Sequence, residues 1–196
     1  AAHGSSREQA VWQLSQVALE LAARYIGASD ARPQKLKRIA EHLENSLDLL
    51  KQRHAKEVQR HDVSAIVAEA FLKAGLSHSE PSEQGSNLLG RALEAAESAV
   101  LQNPLSCKSR TVLARAHLAL EHLDLAKKEW EKALVCNPDS PQINLAIGEC
   151  LVRSGLRVRG GERRTELLGD ARRYLEDSLE LYELVEAPVQ GRRESK

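Results

Sequence analysis

The sequence predicts an all-α protein built from antiparallel pairs of helices. Three observations carry that expectation. Ala and Leu dominate while aromatics make up 3% of the chain, a composition suited to closely packed helices and not to a β-sandwich. Few segments alternate apolar and polar residues with a period of two, so no sheet is expected. Apolar residues instead fall at helical spacing in paired blocks, and one such pair recurs after 34 residues.

The clearest pair is Cys107–Pro138. Its first block places Leu113, Ala114, His117 and Leu118 on one helical face. Its second block does the same with Ala126, Trp130, Ala133 and Leu134. A short turn separates them, and Asn137-Pro138 stops the second. Ala114 and Ala126 are small enough to let two helix backbones approach, and Trp130 fills the space beside them. A step of 34 residues from Ala114 lands on Gly148, inside Asn144-x2-Ile147-Gly148-x2-Leu151. The same step back from Pro138 lands on Pro104, where Gln102-Asn103-Pro104 echoes Cys136-Asn137-Pro138. Ahead of it, Ala92-x3-Ala96-x2-Ala99 reads as the second helix of an earlier unit. Ser64-x2-Val67-Ala68-x2-Phe71 reads as that unit's first helix.

The pattern Arg110-x2-Leu113-Ala114-x2-His117, Ala126-x3-Trp130, Pro138 resembles a tetratricopeptide repeat, a helix-turn-helix unit of 34 residues. Arg110 and His117 stand where that family usually has aromatics. The resemblance implies a right-handed superhelix of antiparallel helix pairs, with about three repeats. These span 61–105, 106–139 and 140–186, preceded by an N-terminal helical pair over 1–60 and followed by a polar tail, 187–196, expected to be disordered. Ala68 to Ala114 is 46 residues and Ala126 to Ala171 is 45, so the first and third repeats carry insertions in their internal turns. Those insertions, 76–86 and 156–169, read as loops. Gly75 and Gly155 read as the glycines that end the preceding helices.

The remaining elements follow from local signals. Glu8–Ile26 carries one apolar stripe through Val11, Leu14, Val17, Leu21 and Tyr25. Residues 27–33 break it. A second helix starts near Gln34 with Leu36, Ile39, Ala40, Leu43, Leu47 and Leu50 on one face and runs to about Val58. This pair is a divergent repeat or a cap for the apolar end of the stack. Ser140-Pro141 suits the start of a helix. The last helix is expected over Asp170–Val185, packing through Ala171, Leu175, Ser178, Leu179 and Tyr182.

For function, the resemblance implies a non-enzymatic scaffold or adaptor that holds a peptide or helix of a protein partner in a concave groove lined by first helices, as one part of a multiprotein complex. The groove positions carried over are Asp62, Glu69, Lys73, Lys108, Thr111, Arg115, Gln142, Glu149 and Arg153, a mixed-charge set suited to a polar or acidic peptide. Chaperone-binding members of the family clamp a carboxylate with Lys, Asn and Arg. The matching positions here are Asp62, Ile66, Val112, Gln142 and Ala146, and none fits. A second reading places an anionic ligand or nucleic acid on the arginine-rich stretch Arg153–Arg173, above all on Arg157, Arg159, Arg163 and Arg164. That stretch holds no aromatic to stack on bases. A third reading is self-association into a homo-oligomer.

Other classes find little support. The seven His residues are scattered, and His117 and His122, five apart, have the wrong pitch to share a helical face as ligands. No nucleophile motif, phosphate loop or metal-ligand run appears, so no catalytic residue, metal or cofactor is expected. Basic and acidic residues balance at 28 each, unlike a polyelectrolyte binder. No run approaches the length of a membrane span. Cys107, Cys136 and Cys150 show no redox or metal spacing and read as small apolar fillers, which points to a reducing intracellular compartment, the cytoplasm or nucleus. The absence of Met suggests a processed or excised chain and leaves room for a removed targeting segment.

Overall fold

The computed structural model describes residues 24, 32, 34–45, 62–77 and 82–186. Among them every regular element is a helix. We number these α1 (34–45), α2 (Val63–Leu76), α3 (Glu83–Gln102), α4 (Cys107–Ala119), α5 (Leu123–Cys136), α6 (Pro141–Arg157) and α7 (Gly161–Glu186). The helix expected over 8–26 lies outside the described residues except for Arg24, which is helical. The stretch 46–58 and the tail 187–196 lie outside them as well. The chain divides into two compact units, Ala1–His122 and Leu123–Lys196.

In the first unit α2 is the central element. All its residues except Glu69, Lys73 and Leu76 are buried, as expected of a helix that is apolar all round. Val63, Ile66 and Val67 are β-branched and mediocre helix formers. Tertiary burial outweighs that preference, because each fills the core beside Phe71, Leu88, Ala92 and, from α1, Leu36 and Ala40. A second cluster joins Ala65 and Ala68 of α2, Ala96 and Ala99 of α3, and Val112 and Leu113 of α4. So α3 and α4 both pack on α2. Arg91 of α3 fastens α1 across this core. Its guanidinium lies 4.1 Å from the centre of the Phe71 ring and pairs with Glu44 and with Glu41 at 3.5 Å. Ser82 and Ser106 cap α3 and α4 by accepting from Gly85 N at 3.0 Å and Ser109 N at 3.1 Å, each cap contributing about 1 kcal/mol.

In the second unit α6 packs on α7 and on α5. The stripe read from sequence on α5 is buried at Ala126, Trp130 and Ala133. Ser140 caps α6 through Ile143 N at 3.4 Å, with Pro141 in the first turn, as the Ser-Pro dipeptide suggests. The Ser178 hydroxyl of α7 donates to the Pro141 carbonyl at 2.8 Å, a carbonyl near the start of α6. Leu179, expected to pack here, is exposed.

The turns differ from expectation. α7 starts at Gly161, nine residues before Asp170, so the stretch 156–169 is mostly helix, with Val158–Gly160 as the only break. Thr165 Oγ1 donates to Gly161 O at 2.8 Å and the Arg163 guanidinium to Glu166 at 2.7 Å, local bonds that favour a helix over a solvated loop. Glu83–Ser86 is likewise already helical. Gly75 and Gly155 lie inside their helices, and no described glycine has positive φ. They serve close approach instead. A Cβ on Gly75 would lie 2.7 Å from Leu89 Cδ2, one on Gly148 2.7 Å from Leu175 Cδ2, and one on Gly155 3.1 Å from Leu168 Cδ2.

Gly148→Val should therefore lower stability by about 2–3 kcal/mol through overpacking. Gly90→Ala, whose Cβ would meet nothing within 4 Å, should raise it by about 1 kcal/mol through helix propensity. Urea denaturation midpoints of the two variants check both signs.

Candidate functional site

The side chains singled out as a docking surface come from α2 and α4 in the first unit and α6 in the second. In the first unit α2 and α4 pack directly on one another. Glu69, Lys73, Thr111 and Arg115 are half-buried on them, and Lys108 is exposed. Arg115 Nη1 donates to Glu69 Oε1 at 3.0 Å. This ion pair joins residues 46 apart in sequence and ties the two helices together. Half-exposed pairs of this kind contribute about 0–1 kcal/mol, so its larger effect is to neutralise the surface.

Asp62 has a different role from its neighbours. It precedes α2 with φ 49 in the left-handed region and makes no capping bond of its own. Its carboxylate instead accepts from the Ser106 hydroxyl at 3.0 Å, Asn103 Nδ2 at 3.3 Å and the Ser109 hydroxyl at 3.4 Å. Ser106 both caps α4 and donates to Asp62. The carboxylate thus clamps the start of α2 to the α3–α4 connection. Beside it, Ser64 donates to Gln102 at 3.1 Å and Gln102 to Ser98 at 2.8 Å.

In the second unit Gln142 is exposed near the start of α6 and accepts from Ser140 Oγ at 3.2 Å. Glu149 and Arg153, one turn apart, form an ion pair at 2.6 Å. The arginine-rich stretch is spread over the end of α6, the connection and α7. Arg157, Arg159, Arg163 and Arg164 are exposed. Arg163 is engaged by Glu166, Arg172 by Glu176 at 2.6 Å, and Arg173 by Asp170. On α5 the Glu131 carboxylate, bonded at 2.6 Å, holds Lys127 above the usual lysine range.

One sequence expectation needs correction. His117 and His122 do meet, with Nδ1 atoms 3.4 Å apart. Helical pitch would separate them, but α4 ends at Ala119 and Glu121 adopts φ 60. The closing bonds from His122 N to His117 O at 2.9 Å and from Glu121 N to Leu118 O at 3.0 Å form a Schellman motif that folds the second ring back onto the first. The ring centres are 5.7 Å apart, so the nitrogens face each other as in an N–H···N hydrogen bond. No group of three potential ligands gathers among the described residues. Cys150 is the filler expected: free, buried, with its thiol pushed up to about 11, mainly by burial and secondarily by Glu149. Among the described residues no helix is long and apolar enough to cross a membrane.

No family model and no curated protein sequence matches the chain. Solved structures do. The chain is similar to MamA MSR-1 C2, at 18% identity over 86% of this chain and 77% of that one, with a TM-score of 0.57. It is also similar to TTC0263, a thermophilic TPR protein of Thermus thermophilus, at 22% identity over 88% and 90% of the two chains, with a TM-score of 0.50. At these identities the likeness concerns the fold, which is that of tetratricopeptide-type helical repeats.

Asp62→Ala should cost about 2 kcal/mol, because Asn103, Ser106 and Ser109 lose a shared acceptor. Asp62→Gly should cost less, because glycine tolerates the left-handed backbone. Thermal melts of the two variants give the order.

Proposed function

We propose that the chain, proceeding from its tetratricopeptide-type fold, is a scaffold that holds a segment of a partner protein against the first helices of its repeats. The observation that carries this reading is the direct packing of α2 on α4. It aligns Glu69, Lys73, Lys108, Thr111 and Arg115 as candidate contacts, with Gln142, Glu149 and Arg153 on α6 as candidates in the second unit. Side chains from α2 and α4 then act on one ligand, which is how stacked helix pairs make extended binding surfaces. The arginine-rich stretch is better read as the solvated side of two helices, since four of its arginines are engaged by carboxylates three or four residues away. A shared fold names no partner.

The test is affinity purification from the source cell followed by mass spectrometry. A variant carrying Lys108→Glu together with the exchange Glu69→Arg/Arg115→Glu keeps an ion pair between α2 and α4 and alters the face around it. Partner recovery should fall at least tenfold while helicity by circular dichroism is unchanged. Equal recovery with the variant would reject this face as the docking surface.

A further inference from the structure

Two histidines five residues apart on a straight helix would point about 140° away from each other. The turn that closes α4 cancels that angle, and His117 and His122 face each other through their Nδ1 atoms at 3.4 Å. The two rings differ in a way that matters for a ligand. His117 is 7% exposed and is held by the packing of α4. His122 is exposed. One nitrogen is therefore fixed by the fold, and the other can turn toward an incoming ion.

The separation suits a specific chemistry. Two nitrogens bound to one zinc ion at about 2.0–2.1 Å in tetrahedral geometry stand about 3.3–3.4 Å apart. Imidazole nitrogen is a good ligand for zinc. In an N–H···N pair of neutral rings only one Nδ1 carries a proton, so the other already presents a lone pair. We propose that His117 and His122 bind one exchangeable zinc ion through their two Nδ1 atoms, the ion taking the place of the bridging proton. That proton leaves Nδ1 of the donor ring for water, and Nε2 of the same ring takes one up. Both rings stay neutral and no net proton is released. The exposed His122 ring turns about its side-chain bonds to aim its lone pair at the ion. No group of three potential ligands gathers among the described residues, so water fills the other positions. Structural zinc sites are closed by four protein ligands. A site with two is open, and zinc enters and leaves it without unfolding the chain. The inference uses none of the docking residues and stands apart from the scaffold reading.

The experiment titrates zinc chloride into the full 15N-labelled chain at about pH 7.5, where ordinary imidazole is neutral. Long-range 1H–15N correlation follows each histidine ring, and calorimetry gives the affinity. Zinc should move the resonances of His117 and His122 together, and one of the two rings should pass from the Nδ1–H to the Nε2–H tautomer. His122→Ala should weaken the binding that moves His117 at least tenfold, with circular dichroism unchanged. Zinc that moves only other histidines, zinc that moves His117 equally well in His122→Ala, or no binding at all would overturn the proposal. Should the variant lose helicity, the tautomer change in the unaltered chain decides, and its absence overturns the proposal as well.

Discussion

Among the described residues, helices approach closely where at least one side of the contact is alanine or glycine. Ala65 and Ala68 face Ala96 and Ala99 in the first unit. Gly148 and Gly155 receive Leu175 and Leu168 in the second. The distance between two packed helices is set by the side chains at their contact, so these small residues govern how near each helix lies to the next. Larger apolar groups then fill the flanks, as Phe71 does between α1, α2 and α3. A methyl or methylene added at such a contact displaces a helix and not merely a side chain, because interiors are close-packed.

Polar groups at the ends of the helices complete the geometry. The hydroxyls of Ser82, Ser106 and Ser140 each satisfy an amide at a helix start. Ser106 also joins Asp62, so the start of α4 is coupled to the start of α2. Glu69 and Arg115 couple the same two helices on their outer faces. α2 and α4 are therefore held by a hydroxyl–carboxylate clamp and an ion pair. An aligned pair of helices can offer side chains from two repeats to one ligand without first ordering them, and less conformational entropy is then lost on binding.

Much of this was legible in the sequence, because close helix contacts impose a spacing on alanine and glycine. Ala92, Ala96 and Ala99 and then Ala126, Trp130 and Ala133 are buried as their periodicity requires. What escaped were contacts between residues distant in sequence. Asp62 and Glu69 read as two free carboxylates of a groove, yet their partners lie about forty-five residues away, at Ser106 and Arg115. Glycines misled in the other direction. Gly75 and Gly155 suggest helix ends, but the close approach of a neighbouring leucine explains them equally well, and local sequence does not distinguish the two uses. The segment 156–169 looked like a loop because glycine and arginine are common there. Its intrahelical pairs, Arg163 with Glu166 among them, were visible as charge spacing and offered the missed signal.

The same rule bears on which surface positions matter. When glycine and alanine make the closest contacts, some leucines are left over, and the described surface shows several, including Leu101, Leu105 and Leu156. Leu101 lies near the end of α3 and Leu105 in the connection after it, so the two do not share a helical line. On α6 the exposed apolar positions keep the helical period for three turns, and the one interrupting carboxylate is neutralised by the arginine four residues on.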